Sequence, residues 1–450
     1  MTTSPLNIAV IGSGISGLSA AWLLSKRHRV TLFEQDSRIG GHSNTIDVET
    51  ADGRVSVDSG FIVYNELNYP NLTALFDHTG VSTKPTRMTF AISNDGGDFE
   101  YSGSGLPGLF GQARNIVRPR HWRLVADLLR FFSTAQTRLQ VYPETISLGS
   151  FLIEEGYSSG FVDDHILPMG AAIWSTPMSS MLGFPASTFI DFYANHGMLR
   201  VKDRHAWRTV SGGSKRYVER LIADSNVKVL FGAAVRRVGR NETCVHIEDE
   251  HSVVRLFDHV VIAGHADQAL RMLGDPSPEE AELLGVFRYE SNRTLLHRDK
   301  RFMPRRRRLW SSWNYLKQGW GAESSLCVTY WMNRLQNLPT TTDLFVTLNP
   351  PRDILPKAVD AEISYEHPVF TAEAIKAQSA LWSLQGKRRT WFCGSYFGYG
   401  FHEDGLQSGL AVAEQLGGLR RPWSVAGESD RIHVTDVAMD VERIPLEAAE

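Results

Sequence analysis

The N-terminal segment constrains the fold of this chain more than any other. The apolar run Leu6-Asn7-Ile8-Ala9-Val10-Ile11 leads directly into Gly12-Ser13-Gly14-Ile15-Ser16-Gly17. A strand, a glycine-rich turn and a helix in that order form the opening of a βαβ unit that cradles a dinucleotide pyrophosphate. Each glycine has its own reason: Gly12 permits the tight turn, Gly14 lets backbone N–H groups approach phosphate, and Gly17 lets the helix from Ile15 to about Lys26 pack close to the sheet. Ile15 and Ser16 open that helix, where unpaired N–H donors and the dipole favour an anion by about 0.3–2 kcal/mol. Arg29-Val30-Thr31-Leu32-Phe33 reads as the second strand and ends in Glu34, placed to accept hydrogen bonds from a ribose diol and to repel a 2′-phosphate. Glycine-rich turns are common in a chain with 38 glycines, so specificity lies in strand, turn, helix, strand and acid occurring in sequence.

A second signature stands at the far end, where Phe392-Cys393-Gly394 runs towards Glu403-Asp404-Gly405-Leu406-Gln407-Ser408-Gly409. One cofactor gripped from both ends of the chain points to FAD rather than NAD. No second strand–GxGxxG–helix unit follows the first, so no separate NAD(P)H site is indicated.

The continuation Glu34-Gln35-Asp36-Ser37-Arg38-Ile39-Gly40-Gly41-His42, followed by Val57-Asp58-Ser59-Gly60, resembles the flavin-containing amine oxidase and phytoene desaturase superfamily. The resemblance implies an α/β fold in which a Rossmann-like FAD-binding lobe is interleaved with an α+β substrate lobe. It assigns the adenine-side ribose to Glu34 with Gln35 beside it, the pyrophosphate and flavin to Arg38, Gly40 and Gly41, with His42 beside them where the family commonly has an arginine, an adenine contact to Val235, and the ribityl and pyrimidine end to Gly394, Gly405 and Leu406. Where amine oxidases place a carboxylate after the late glycine, Gly394 is followed by Ser395 and Tyr396, leaving the ribityl contacts unassigned. No cysteine matches the motif for covalent attachment, so noncovalent FAD is expected. Met169 to Ser175, Asn195-His196-Gly197, Trp207 to Ser214 and Gly398 to Gly405 look like a subgroup of FAD-binding proteins similar to the N-terminal oxidase-like region of plant cyclopropane fatty acid synthases. That resemblance implies a lipid substrate.

At 450 residues the chain is long for one domain. The expected arrangement is an FAD-binding domain from 1–85, 204–272 and 384–420, a substrate domain from 86–203 and 273–383, and a weakly specified tail at 421–450. Three cysteines without CxxC spacing indicate neither a disulfide framework nor a metal site and fit a reducing cytoplasm. The apolar stretch Ile8 to Leu24 lacks a preceding basic region, and its glycines fall at nucleotide-loop spacing, so it is read as structure rather than as a signal peptide.

For chemistry, the aromatic run Tyr396 to His402 lies just ahead of the flavin-side glycine. Tyr399 and Phe401 are expected at the reacting centre, His402 as a proton carrier with a near-neutral pKa, and Glu403 as its orienting partner; packing around a fixed loop is the competing reading. Trp174, His196 and Trp207 are secondary candidates.

Formal charges of 47 basic and 50 acidic residues give no global reason to expect nucleic acid. Locally, Arg305 to Arg308 precede Leu309-Trp310, and between Leu106 and Leu139 six arginines (114, 118, 120, 123, 130 and 138) face only Asp127 in sequence. Both runs suggest peripheral contact with an anionic membrane, on the inner face of the cytoplasmic membrane, or else solvated faces. The functional readings are an FAD-dependent oxidoreductase that dehydrogenates or isomerises an unsaturated fatty acyl lipid with oxygen or quinone as acceptor, a small-amine oxidase, and a non-catalytic FAD-binding partner of a lipid methyltransferase.

Overall fold

The structure is a computed structural model that describes residues 4–143, 145–174, 178–200, 206–318 and 325–436. Ser175 and positions 437–450, both invoked above, lie outside the described residues.

The nucleotide motif forms as expected. Strand Asn7–Ile11 pairs in parallel with Arg29–Phe33 on one side and His259–Ile262 on the other, and Lys228–Leu230 and Thr390–Phe392 complete a five-stranded parallel sheet. Its central strands are apolar and buried on both faces, as a doubly covered parallel sheet requires. Helix Ile15–Leu24 is buried on every side because helix His402–Gly417 lies against its outer face. Small residues let these helices approach so closely that a Cβ on Gly409 would stand 2.2 Å from the Ser16 carbonyl oxygen. The later helix ends at Gly418, in the left-handed conformation that satisfies its last carbonyls.

The second lobe is a seven-stranded sheet in the order Val359–Val369, Arg288–His297, Phe345–Leu348, Ser325–Trp331, Trp313–Gln318, Phe90–Asn94, Phe99–Ser102. It is antiparallel except where Trp313–Gln318 meets Phe90–Asn94. The long helix Pro119–Leu139 begins with the proline favoured at a first helical position, and buries His121, Leu124, Leu128, Phe131 and Ala135 along one stripe. Five of the six arginines of this region do not stand unopposed as the linear sequence suggested. Arg114 and Arg118 reach Asp98, Arg120 reaches Asp163 and Asp164, Arg130 reaches Asp127, and Arg138 reaches Glu155.

Two large apolar cores trace the lobes. Val48, Val55 and Val57, from the hairpin Thr45–Asp58, pack with the substrate-side core, whereas Ala374, Leu381 and Trp382 pack with the nucleotide-side core. The segment read as a weakly specified tail is packed from Arg421 through Ile432, while residues 433–436 are exposed. Arg421 is buried against Glu414 and Asn71, Trp423 stacks on Trp22 with ring centroids 5.9 Å apart, and Ile432 joins the core. Polar composition hid this, because the segment is held by ion pairs and one tryptophan rather than by an apolar stripe.

Candidate functional site

A cavity of about 840 Å³ runs from the glycine-rich turn into the second lobe. Its nucleotide end is formed by Gly12 to Ser16, by Glu34 to Asp36 and by Ala233 to Arg236. Gly12 has φ +97°, and its N–H donates to the Phe33 carbonyl, tying the turn to the second strand. Gly14 has φ −64°, and a Cβ there would meet nothing within 4 Å. Gly17 is the opposite case: a Cβ would lie 1.9 Å from the Gly12 carbonyl oxygen, so its role is close packing and it does not line the cavity.

Glu34 is buried at the cavity wall. One carboxylate oxygen accepts from the Ser13 N–H at 3.1 Å and from the Ser13 hydroxyl, and the other accepts from the Asp36 N–H at 2.9 Å. A carboxylate has about four acceptor positions, so one remains for a ribose hydroxyl. Open space over Gly14, a buried acid with spare acceptor capacity and a helix N-terminus directed at the same space together fit the adenosine and pyrophosphate of FAD. Gln35, Gly41, His42, Val235 and Gly394 also line the cavity, as does Ser395, which offers a hydroxyl at the unassigned ribityl position.

Other assignments shift. The Arg38 guanidinium does not line the cavity; it donates to the Gly41 carbonyl at 2.9 Å and so shapes the loop. Gly40 likewise acts through the backbone, donating to Ser13. Gly405 and Leu406 stand behind the wall, where a Cβ on Gly405 would meet the Ser16 hydroxyl at 2.8 Å. The late helix therefore carries packing glycines where the sequence suggested flavin contacts.

His402, the first residue of that helix, does face the cavity. Its ring stacks on Phe61 with centroids 3.9 Å apart, and its Nε2 lies 2.7 Å from the Tyr217 hydroxyl and 3.3 Å from that of Ser43. Burial pushes its pKa down to about 3, so the near-neutral titration expected of it does not hold. Glu403 does not orient His402; its carboxylate accepts from the backbone N–H groups of Asn71 and Leu72 and caps helix Pro70–Thr79 away from the cavity. Tyr399 is at the cavity rim and partly exposed.

Phe401, His196, Trp174 and Trp207 come together on the cavity wall, with Phe192 stacked on His196 at 3.8 Å and on Phe401 at 5.2 Å. A second aromatic group, not foreseen, lies across from them. Tyr365 and His367 alternate onto one face of strand Val359–Val369, with Tyr365 stacked on His42 at 4.9 Å, and His265 is stacked on Tyr289 at 4.1 Å. The signal for the first pair was strand alternation in Tyr365-Glu366-His367, which has no glycine or motif to mark it. Burial holds His42 well below the usual imidazole range and His367 at about 4, so these rings are neutral at neutral pH.

Beyond His402 the cavity is walled by Phe90, Phe132, Met169, Ile173, Tyr315 and Tyr330 among others. Among the described residues its charged side chains, such as Glu34, Asp36, Arg236, Arg271 and Glu366, belong to the segments around the nucleotide end and the His265 corner, and the substrate-lobe helices and inner strands contribute none.

Residues 15–417 match the family described as flavin containing amine oxidoreductase. The L-amino-acid oxidase of Bungarus fasciatus is 49% identical over 45 residues, which is 10% of this chain and only 9% of that protein. Among solved structures, the CLA-producing fatty acid isomerase from P. acnes superposes with a TM-score of 0.64 at 15% identity, covering 91% of this chain and 98% of that one. Cyclohexylamine oxidase from Brevibacterium oxydans IH-35A superposes with a TM-score of 0.60 at 16% identity, covering 92% and 99%.

Proposed function

Starting from the fact that the chain belongs to the flavin-containing amine oxidoreductases and is an FAD-dependent oxidoreductase, we propose that it dehydrogenates or isomerises an unsaturated fatty acyl lipid at an activated C–H. The observation that supports this reading is the uncharged substrate side of the cavity. An alkylammonium leaving water for such a wall would lose its hydration without a carboxylate to replace it, whereas an acyl chain gains about 25 cal/mol for each Å² of apolar surface it buries. Bound FAD supplies the redox chemistry. The chain's own contribution is orientation and exclusion of water. Phe192, Phe401 and Trp174 form an apolar channel, while His402, neutral and fixed by Tyr217 and Phe61, holds the wall next to the flavin end in one geometry. Loss of hydride from a saturated carbon would leave an unstabilised cation, so the reacting carbon should adjoin a double bond or a heteroatom. In a dehydrogenation oxygen or a quinone would accept the electrons, whereas in an isomerisation they return to the same acyl chain.

The test is anaerobic reduction of the holoprotein by extracted unsaturated phospholipid, set against a panel of amines. Bleaching of the flavin by the lipid and not by the amines supports the reading. Reduction by an amine alone would replace it with the amine oxidase reading that the family permits. A flavin left oxidised by both, with no double bond of the recovered lipid shifted, would favour the role of FAD-holding partner to a lipid methyltransferase.

A further inference from the structure

The two arginine runs, separate in sequence, meet on one surface. Arg305, Arg306 and Arg308 share a shallow depression of about 480 Å³ with Arg114, Gln112, Asp95 and Asp98. Contact continues around it: a Cβ on Gly97 would touch the Arg305 side chain at 2.9 Å, and one on Gly111 would touch Leu309 at 2.3 Å. Next to the depression, the turn Ala113–Val117 leads into helix Pro119–Leu139, with the Trp122 ring packed on Phe110 at 4.9 Å and its N–H donating to the Ile116 carbonyl at 2.8 Å.

Most arginines here are engaged. Arg306 reaches the buried Glu100 at 2.7 Å, Arg307 pairs with Asp343, and Asp98 is taken up by Arg114 and Arg118. Among the described residues, the guanidinium groups of Arg123, Arg305 and Arg308 have no carboxylate partner, and all three residues are exposed. Along the same stretch as Arg114 and Arg123 protrude Leu106, Ile116, Val117, Trp122 and Leu129, each more than half exposed. Five of the sixteen large apolar side chains exposed among the described residues thus fall within one stretch of 24, and Trp122 and Leu129 lie on the same stripe of the helix. Single exposed apolar residues need no explanation, but a group of them next to unpaired cations does.

We propose that this surface docks on an anionic lipid bilayer, with Arg123, Arg305 and Arg308 at the headgroup phosphates and Ile116, Val117 and Trp122 dipping below them. A bilayer is the partner whose charge and apolar depth match both halves of the patch; a nucleic acid would satisfy the cations and leave aliphatic side chains against a phosphate backbone. The same helix carries Phe132 on the cavity wall, so docking would bring the membrane to the outer side of an element whose inner side meets the substrate space. The inference goes beyond the proposed reaction, because a lipid cavity would act on extracted substrate with or without docking.

Cosedimentation of the FAD-loaded protein with vesicles tests it separately from turnover. Binding to phosphatidylglycerol vesicles should exceed binding to phosphatidylcholine by about 100-fold at 0.1 M salt, from roughly fivefold for each of three arginines. It should fall steeply at 1 M salt, where the screening length drops to about 3 Å. The Arg305→Glu/Arg308→Glu protein, with Arg306 left to hold Glu100, should lose most of that preference while keeping its flavin and melting temperature. If the double variant loses flavin, Arg123→Glu alone and the wild-type salt dependence carry the test. Equal binding to both vesicles, no binding to either, or a preference untouched by these charges would overturn the proposal.

Discussion

Gly14 and Gly17 stand three positions apart in one turn and should respond oppositely to substitution. The space above Gly14 is empty of protein and its backbone is in a region open to any residue, so Gly14→Val should fold with a normal melting temperature and contain no FAD. Flavin absorbance of the purified variant against its thermal melt checks this; a folded variant with full flavin would remove the pyrophosphate from that space. Gly17→Ala should instead fail at folding, because its methyl group would overlap the Gly12 carbonyl. The sequence motif marks both glycines alike, and only the geometry separates them. His402 shows the limit of legibility at this scale. Its place on the cavity wall was readable from the aromatic run, but its charge was not, because Phe61 and Tyr217 come from elsewhere in the chain. Since its pKa is about 3 in the folded protein and near 6.5 when unfolded, the stability it contributes is complete above pH 6.5 and is lost as pH falls towards 3. Wild-type protein should therefore lose up to about 1.4 kcal/mol per pH unit through this residue below pH 6.5, and the difference in melting temperature between pH 7 and pH 5 should be smaller in His402→Ala. An equal drop in both would mean that the ring is solvated. No inflection of flavin reduction between pH 5 and 8 should depend on His402.

At the scale of elements, the paired helices Ile15–Leu24 and His402–Gly417 and the segment that covers them decide stability. Arg421 is 3% exposed and forms one bidentate ion pair with Glu414, besides donating a hydrogen bond to Asn71. Arg421→Met would leave Glu414 with only the more exposed Arg420, 3.1 Å away, at a cost of about 1.5–3 kcal/mol, whereas Arg421→Met combined with Glu414→Leu should recover much of the loss. Chemical denaturation of the three proteins checks this; a single variant within about 1 kcal/mol of wild type would show that the segment is loosely held. The helix and strand elements of the nucleotide lobe were legible because their apolar runs and glycines follow short-range rules. The lobe edges were not: hairpin Thr45–Asp58 and the stretch from Ala374 to Leu384 change sides through contacts with distant segments, which no local pattern records. The late glycines misled for a related reason, since a glycine that lets two helices touch looks the same in sequence as one that admits a cofactor.

For the whole molecule, FAD should be held without a covalent bond. None of the three cysteines lines the cavity, and Cys327 and Cys393 are buried in the two lobes with thiols pushed up by burial, Cys327 to about 12. Acid precipitation should therefore release a yellow chromophore that chromatographs as FAD; colour left on the polypeptide would point to attachment through another side chain. The parallel sheet that frames the cofactor takes its five strands from residues 7–11, 29–33, 228–230, 259–262 and 390–392. During translation, then, the turn that begins the cofactor site is made about 380 residues before its last strand and the covering helix His402–Gly417. Such non-local closure is slow and leaves apolar strand edges open in the nascent chain. Loading of flavin should accordingly be post-translational, and truncation anywhere before the late helix should yield a protein dependent on chaperones and unable to take up its cofactor, however intact its glycine-rich turn.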